Sequence, residues 1–338
     1  MVLAQATAQA TARRKGRWRD GMMGPMDPVR VVFMGTPGVA VPVLEAVLGL
    51  GPGWPVVGVY TAPDRRAGRG REVRRAPVKI FAEAQGLPVH SPTRLGPPEE
   101  AARFGALAAD LVVLAAYGLL LPKVFLEAPR FGAVNVHPSL LPRHRGAAPV
   151  AAAILAGDGS TGTSVIVMDE TLDTGPLLAR SGPVALDGTE RTPDLTARLF
   201  ALGAELLAGV LPRYVAGEAA PVPQAAEGVS LVKRLSKADG DLDWSQPALR
   251  LERQVRAYDP WPGAATTWRG RRLEVLDAGV ADGTAAPGLV AESGGAVSVG
   301  TGEGLLVLRS VKLEGRPATT AAEFVRGHRD LVGDTLPS

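Results

Sequence analysis

Phe131-Gly-Ala-Val-Asn135-Val-His137-Pro-Ser139-Leu140-Leu141-Pro142 is an apolar run that carries two polar side chains two positions apart. Side chains alternate along a strand, so Asn135 and His137 share one face and can enter one pocket. Pro138 ends the run, and Leu140 to Pro142 continue as a non-helical apolar segment, an ending that sets a strand terminus beside a cleft. In an open α/β sheet the cleft at strand ends is where ligands bind. Further on, Leu172-Asp173-Thr-Gly175 adds a carboxylate in a glycine-marked turn. Taken alone, one of the four histidines (His90, His137, His144, His328) inside an apolar run reads as a core residue.

Outward from this stretch the chain alternates between strand and helix patterns. Strands are expected at 31–34, 56–60, 111–116, 134–137 and 164–168, and helices through 46–48, over 77–85 (proline first, Gly86 behind), over 149–156 (stopped by Gly157) and over 195–210. This grammar predicts a doubly wound, Rossmann-like and mostly parallel sheet over residues 26–216. The strand-turn-helix opening at 31–48 lacks the G-x-G-x-x-G fingerprint and the chain has no P-loop sequence, so neither a dinucleotide nor a nucleoside triphosphate is supported. Past residue 217 the pattern changes to short strands at 273–276, 288–291, 296–299 and 305–308 between Gly, Asp and Pro turns. That predicts a smaller OB-like β-barrel domain over 217–338. Residues 1–25, Ala/Thr-rich and then Arg-rich, read as a disordered basic extension ahead of Met26.

A chain of 338 residues exceeds a typical single core, and it has no cysteine, which removes disulfides, thiolate metal sites and a cysteine nucleophile. By the sequence pattern, no uninterrupted apolar run reaches the eighteen or so residues of a membrane span. The expectation is a soluble, cytoplasmic monomer. The formal charge of +3 is concentrated in residues 1–25, whose five cations against Asp20 leave −1 for the remainder. A polyanion must therefore be met by local patches. One is the arginine-rich loop 64–75, with Arg65, Arg66 and Arg69; another is the stretch 233–272, with nine Lys/Arg against five Asp/Glu.

Asn135-Val-His137-Pro-Ser-Leu-Leu-Pro142, Arg145-Gly-Ala-Ala-Pro149 and Met168-Asp-Glu-Thr-Leu-Asp173-Thr-Gly175 resemble the signature of the formyltetrahydrofolate-dependent transferases. With Phe33-Met-Gly-Thr-Pro37, Gly68-Arg69-Gly70, Ala116-Tyr-Gly118, Lys233-Arg-Leu-Ser-Lys237 and Arg256-Ala-Tyr-Asp-Pro-Trp-Pro262, the order and spacing are most similar to the methionyl-tRNA formyltransferases. The resemblance implies formyl transfer from 10-formyltetrahydrofolate to the methionine amine of initiator methionyl-tRNA, without a metal. It assigns Asn135, His137 and Asp173 to catalysis. It implies that the folate lies along Tyr117, Gly118 and Leu119 and along Ser139, Leu140, Leu141 and Pro142. The arginine loop would reach the acceptor end of the tRNA, and Lys233, Arg234 and Lys237 would hold it farther along the molecule. Arg66 stands where the family usually has proline.

Formyl transfer to an amine passes through a tetrahedral oxyanion and releases a proton, so its site needs an oxyanion donor and a proton acceptor. An asparagine amide suits the first, and a histidine the second. A carboxylate at Asp173 would favour imidazolium at His137. Asp169 and Glu170 are nearby decoys, and Ser139, next to a proline and without its own base, is a poor nucleophile. A sugar-amine or glycinamide-nucleotide formyltransferase would use the same three residues, but neither needs the arginine loop or the barrel. A tRNA-binding protein with a vestigial site and a formate-releasing hydrolase are the other readings.

Overall fold

The computed structural model describes residues 27–67 and 72–338; the basic extension read over 1–25 lies outside them. In chain order, seven strands form the larger sheet: β1 (Val31–Gly35), β2 (Val56–Tyr60), β3 (Val89–His90), β4 (Leu111–Ala115), β5 (Ala133–His137), β6 (Ser164–Val167) and β7 (Leu177–Arg180). Across the sheet the order is β7-β6-β5-β4-β1-β2-β3. The five strands from β5 to β3 run parallel, while β6 is antiparallel to both β5 and β7. The order reverses between β1 and β4, so the carboxyl ends of β1, β2, β4 and β5 open on one edge.

Six helices accompany this sheet: α1 (Val41–Leu48), α2 (Pro77–Ala84), α3 (Pro98–Ala106), α4 (Lys123–Glu127), α5 (Pro149–Ala156) and α6 (Thr192–Val215). Alternate strand residues go to opposite faces, and both faces are buried, as parallel sheets require. Val31, Phe33, Val113, Val134 and Val136 meet Leu44 of α1, Val78 of α2, and Phe200 and Leu207 of α6. Val32, Met34, Val112 and Leu114 meet Phe104 of α3 and Phe125 of α4. Over Asn135 on this second face, the covering element is the loop between β6 and β7.

Several expectations change. The arginine loop contains a hairpin, Arg65–Ala67 paired with Glu72–Arg74. Helix α6 is longer than expected at both ends; its 24 residues, with a mean hydropathy of 1.4 in the richest window, are long and apolar enough to cross a membrane. The sequence count misses this because Arg198 and Glu205 interrupt the run. They lie on one side, and the buried stripe of Leu195, Leu199, Phe200, Leu207 and Leu211 packs against the sheet and its neighbours.

Beyond α6, residues 218–232 run back along the unit built on the larger sheet: Val222 bonds to Leu177, and Leu231–Val232 pairs in parallel with Arg145–Gly146. Then follow α7 (Ala248–Ala257), β8 (Ala264–Trp268), β9 (Arg271–Ala281), β10 (Val290–Ser293), β11 (Ala296–Gly300), β12 (Leu305–Leu313) and α8 (Ala321–Gly327). The antiparallel sheet has the order β8-β9-β12-β11-β10, with Thr319–Thr320 added on β12. Leu251 and Val255 of α7 and Phe324 and Val325 of α8 share its core.

Gly203 of α6 sits where the helix comes closest to β5: a Cβ there would lie 2.3 Å from Val136 Cγ1 and 2.9 Å from Thr163 Cγ2. Gly203→Ala is expected to destabilise by about 1–3 kcal/mol through overpacking. Gly209→Ala, on the same helix with nothing within 4 Å, is expected to stabilise by about 0.5–1 kcal/mol. Urea unfolding of the two variants checks both signs.

Candidate active site

Asn135 and His137 leave β5 on the same face, in register with Ile166 and Ser164 of β6, and Asn135 lies opposite Leu114 of β4. His137 is buried and Asn135 half-buried. His137 Nε2 lies 3.0 Å from the carbonyl oxygen of His144. A carbonyl only accepts, so Nε2 carries the hydrogen and Nδ1 is the position free to take up a proton. Nδ1 lies 3.6 Å from Asp173 Oδ2, too far for a good hydrogen bond but close enough for attraction to a charged ring.

Asp173 stands in the loop between β6 and β7 with φ +54°, left-handed, in keeping with the turn that Gly175 marks. Its side chain is 8% exposed and both oxygens are held. Asn135 Nδ2 donates to Oδ1 at 3.3 Å, and the Gly146 amide donates to Oδ2 at 2.9 Å. Asn135 thus keeps one amide hydrogen for another acceptor. Gly175 is required here, because a Cβ would fall 1.9 Å from the carbonyl oxygen of Val167.

Burial pushes the His137 imidazolium below the ordinary 6.5; Asp173, and then the His144 carbonyl, pull the other way without winning. Asp173 favours the imidazolium, as expected, but burial opposes it and sets the net direction. Water removed from around the ring outweighs a carboxylate that the ring does not touch.

The decoys are spoken for: Asp169 accepts from the Thr171 amide and from the hydroxyls of Thr171 and Thr174, and Glu170 pairs with Lys123 at 2.9 Å. Of the residues expected to meet folate, Tyr117 turns its ring into the core beside Tyr60 and Phe125. Its carbonyl accepts from Thr36 Oγ1 at 3.3 Å, which ties the ends of β1 and β4 together. Gly118, with φ +86°, is exposed, Leu119 is half-buried, and the adjoining Leu120 is 84% exposed. Ser139, Leu141 and Pro142 are buried, and only Leu140 retains partial exposure. The Ser139 hydroxyl donates to the Arg143 carbonyl and the Leu141 amide to Ser164 Oγ, so this segment serves the core.

Arg65 and Arg66 lie on the hairpin that follows β2, and Arg69 falls outside the described residues. Lys233, Arg234 and Lys237 are exposed; Lys233 pairs with Asp239 at 2.9 Å, and neither of the others has an ion-pair partner among the described residues. They are not remote from the site. The Leu231–Val232 strand immediately before them lies on Arg145–Gly146.

Sequence reasoning missed Gly146, Ser230 and Gln224. The Ser230 hydroxyl accepts from the His144 amide at 2.8 Å, and Gln224 bonds to the carbonyls of Asp173 and Gly175. No spacing marks a lone serine and glutamine in a polar stretch as partners of residues far away in the chain.

Residues 29–211 match the formyl transferase family model, and residues 234–329 match that of the formyl transferase C-terminal domain. The methionyl-tRNA formyltransferase of Myxococcus xanthus is 48% identical over 91% of this chain and 98% of its own length. That of Roseiflexus castenholzii is 45% identical over 91% and 99%. Among solved structures, an N-formyltransferase of Helicobacter canadensis in complex with folinic acid and dTDP-3-aminofucose shares the fold with a TM-score of 0.61 at 15% identity, over 83% of this chain and 98% of that one. HypX of Aquifex aeolicus in complex with tetrahydrofolic acid shares it at 0.58 and 16% identity, over 88% and 46%. With both halves matched by family models and the full-length relatives near half identical, the chain belongs to the methionyl-tRNA formyltransferase family.

Proposed function

We infer that this protein transfers the formyl group of 10-formyltetrahydrofolate to the α-amino group of methionine on initiator methionyl-tRNA, in the cytoplasm and as a monomer. The observation that carries the reading is the meeting of Asn135, His137 and Asp173 on the half-open face of β5, in a chain that aligns over 91% of its length with the methionyl-tRNA formyltransferase of Myxococcus xanthus.

The methionine nitrogen attacks the formyl carbon; a C–N bond forms, and the carbonyl electron pair moves to oxygen. The amide hydrogen of Asn135 not given to Asp173 is suited to that oxyanion. The nitrogen must then lose a proton, and neutral His137 takes it at Nδ1. The imidazolium so formed faces Asp173, whose charge stabilises it after attack more than before, which is the differential a catalyst needs. Collapse breaks the bond to N10, and the proton passes to that leaving nitrogen.

The folate contact is proposed at the Gly118–Leu119 turn, continued by Leu120 and by Leu140. An exposed leucine among backbone polar groups fits a flat ring. The tRNA contacts are proposed at the hairpin arginines Arg65 and Arg66, at Arg69, and at Lys233, Arg234 and Lys237. The C-terminal unit is proposed to act as a tRNA-holding domain joined to the catalytic one by residues 218–232.

Asn135→Ala and Asp173→Asn are each expected to lower single-turnover formylation on the order of a hundredfold while the protein stays folded. Near-native turnover in either would reject these catalytic roles. Because His137 acts as a base only when neutral and its pKa lies below 6.5, the rate should rise with pH along an acidic limb centred below that value. Asp173→Asn removes a charge that raises the pKa, so the limb should move to still lower pH. A limb moving upward would contradict the assignment. Replacing Lys233, Arg234 and Lys237 by Ala should weaken all tRNAs alike and flatten the salt dependence of binding by about one unit of slope for each phosphate no longer neutralised. Filter binding across salt measures it.

A further inference from the structure

Residues 218–232 fall wholly between the two family matches, yet their hydrogen bonds reach Asp173, Gly175 and Leu177 and the 142–147 segment beside His137. Gln224 is the centre of this strap. Its Nε2 donates to the carbonyl oxygens of Asp173 and Gly175, each at 2.8 Å. Its Oε1 accepts from Arg145 Nε at 3.0 Å and from the terminal Nη2 at 2.7 Å. A primary amide has two hydrogens and two acceptor lone pairs, so each hydrogen-bonding position of the side chain is filled.

What it joins is specific. On one side is the left-handed backbone of Asp173 and the Gly175 that presses on Val167, a conformation that a non-glycine residue keeps only when its surroundings hold it. On the other is Arg145, which has no ion-pair partner among the described residues and directly precedes Gly146. The Gly146 amide grips Asp173 Oδ2, the oxygen that faces His137 Nδ1. Gln224 thus ties the backbone that carries the carboxylate to the backbone that holds it.

We propose that Gln224 is a positioning residue for Asp173, setting the distance between its carboxylate and His137, and that the Arg145 guanidinium orients the Gln224 amide for this purpose. The inference rests on the formyl-transfer reading. Removing the clamp lets the Asp173 turn relax away from the ring. The imidazolium formed after attack is then less well stabilised, while the folate and tRNA surfaces are untouched.

Gln224→Met keeps the volume and removes both donors and the acceptor; Gln224→Glu keeps an acceptor for Arg145 and loses the donors. Both are expected to lower kcat roughly ten- to a hundredfold, with little change in KM for folate or tRNA, because the loss is one of geometry at the reacting centre. Gln224→Met should also move the acidic limb of the rate to lower pH, as Asp173→Asn does, and should cost little further in an Asp173→Asn background, since both changes act through one carboxylate. An unchanged kcat overturns the proposal. So does an unmoved limb, a loss that multiplies fully with Asp173→Asn, or a rate loss that appears only where the melting temperature has dropped. A wild-type chain that fails to formylate methionyl-tRNA would instead strike the functional reading and leave the clamp to be judged by the His137 titration alone, followed by NMR in wild type and Gln224→Met.

Discussion

A carboxylate and an imidazole cannot be buried side by side unless each is separately satisfied, and this constraint organises the catalytic half. Asp173 lies almost out of solvent and receives a side-chain amide from β5 and a backbone amide from Gly146. His137 gives its one hydrogen to the His144 carbonyl. None of these three bonds is made within one element, so β5, the 143–146 segment and the 168–176 loop must be correctly placed together. The cluster is correspondingly intolerant of slack. In the proposed mechanism the 3.6 Å separation lets the ring gain its charged partner only after it has taken the proton.

The sheet provides the frame. Helices α1, α2 and α6 close one face, with Gly203 letting α6 approach Val136 closely enough that β5 has little room to shift. On the other face, α3 and α4 cover β1, β2 and β4, while the cover over Asn135 is a loop. Asn135 and His137 thus sit on a packed strand beneath the loop that carries Asp173.

Legibility in the sequence follows the range of the interaction. Strands β1, β2, β4 and β5 and the stop of α5 at Gly157, which has φ +68°, rest on local pattern and stand within a residue of where the pattern sets them. Asn135 and His137 are legible as a pair because strand alternation is local; Asp173 joins them only through the family resemblance. Helix α8 carries a readable Thr320-x-x-Glu323 capping box that the strand-centred reading passes over. The stripe of α7, Leu251 with Val255, is short and set in charged residues. The downward push on the His137 pKa is not legible at all: it depends on how much water the fold removes, which no motif encodes. Gln224 and Ser230 are equally silent, since their partners lie at Asp173, Gly175 and His144, across the fold.

The strap is synthesised after everything it braces. All seven strands of the catalytic sheet have been made once Arg180 is added, and α6 ends at Val215, so a growing chain can assemble its larger core with Asn135, His137 and Asp173 already present. The bonds from Gln224, Ser230 and Val232 to the catalytic segments come later, from the piece of chain that leads into the second unit. Vectorial synthesis therefore supplies the scaffold before the segment that braces the Asn135, His137 and Asp173 cluster. Cutting the protein at the end of α6 removes, along with the second unit, the segment whose bonds reach Asp173, Gly175 and His144.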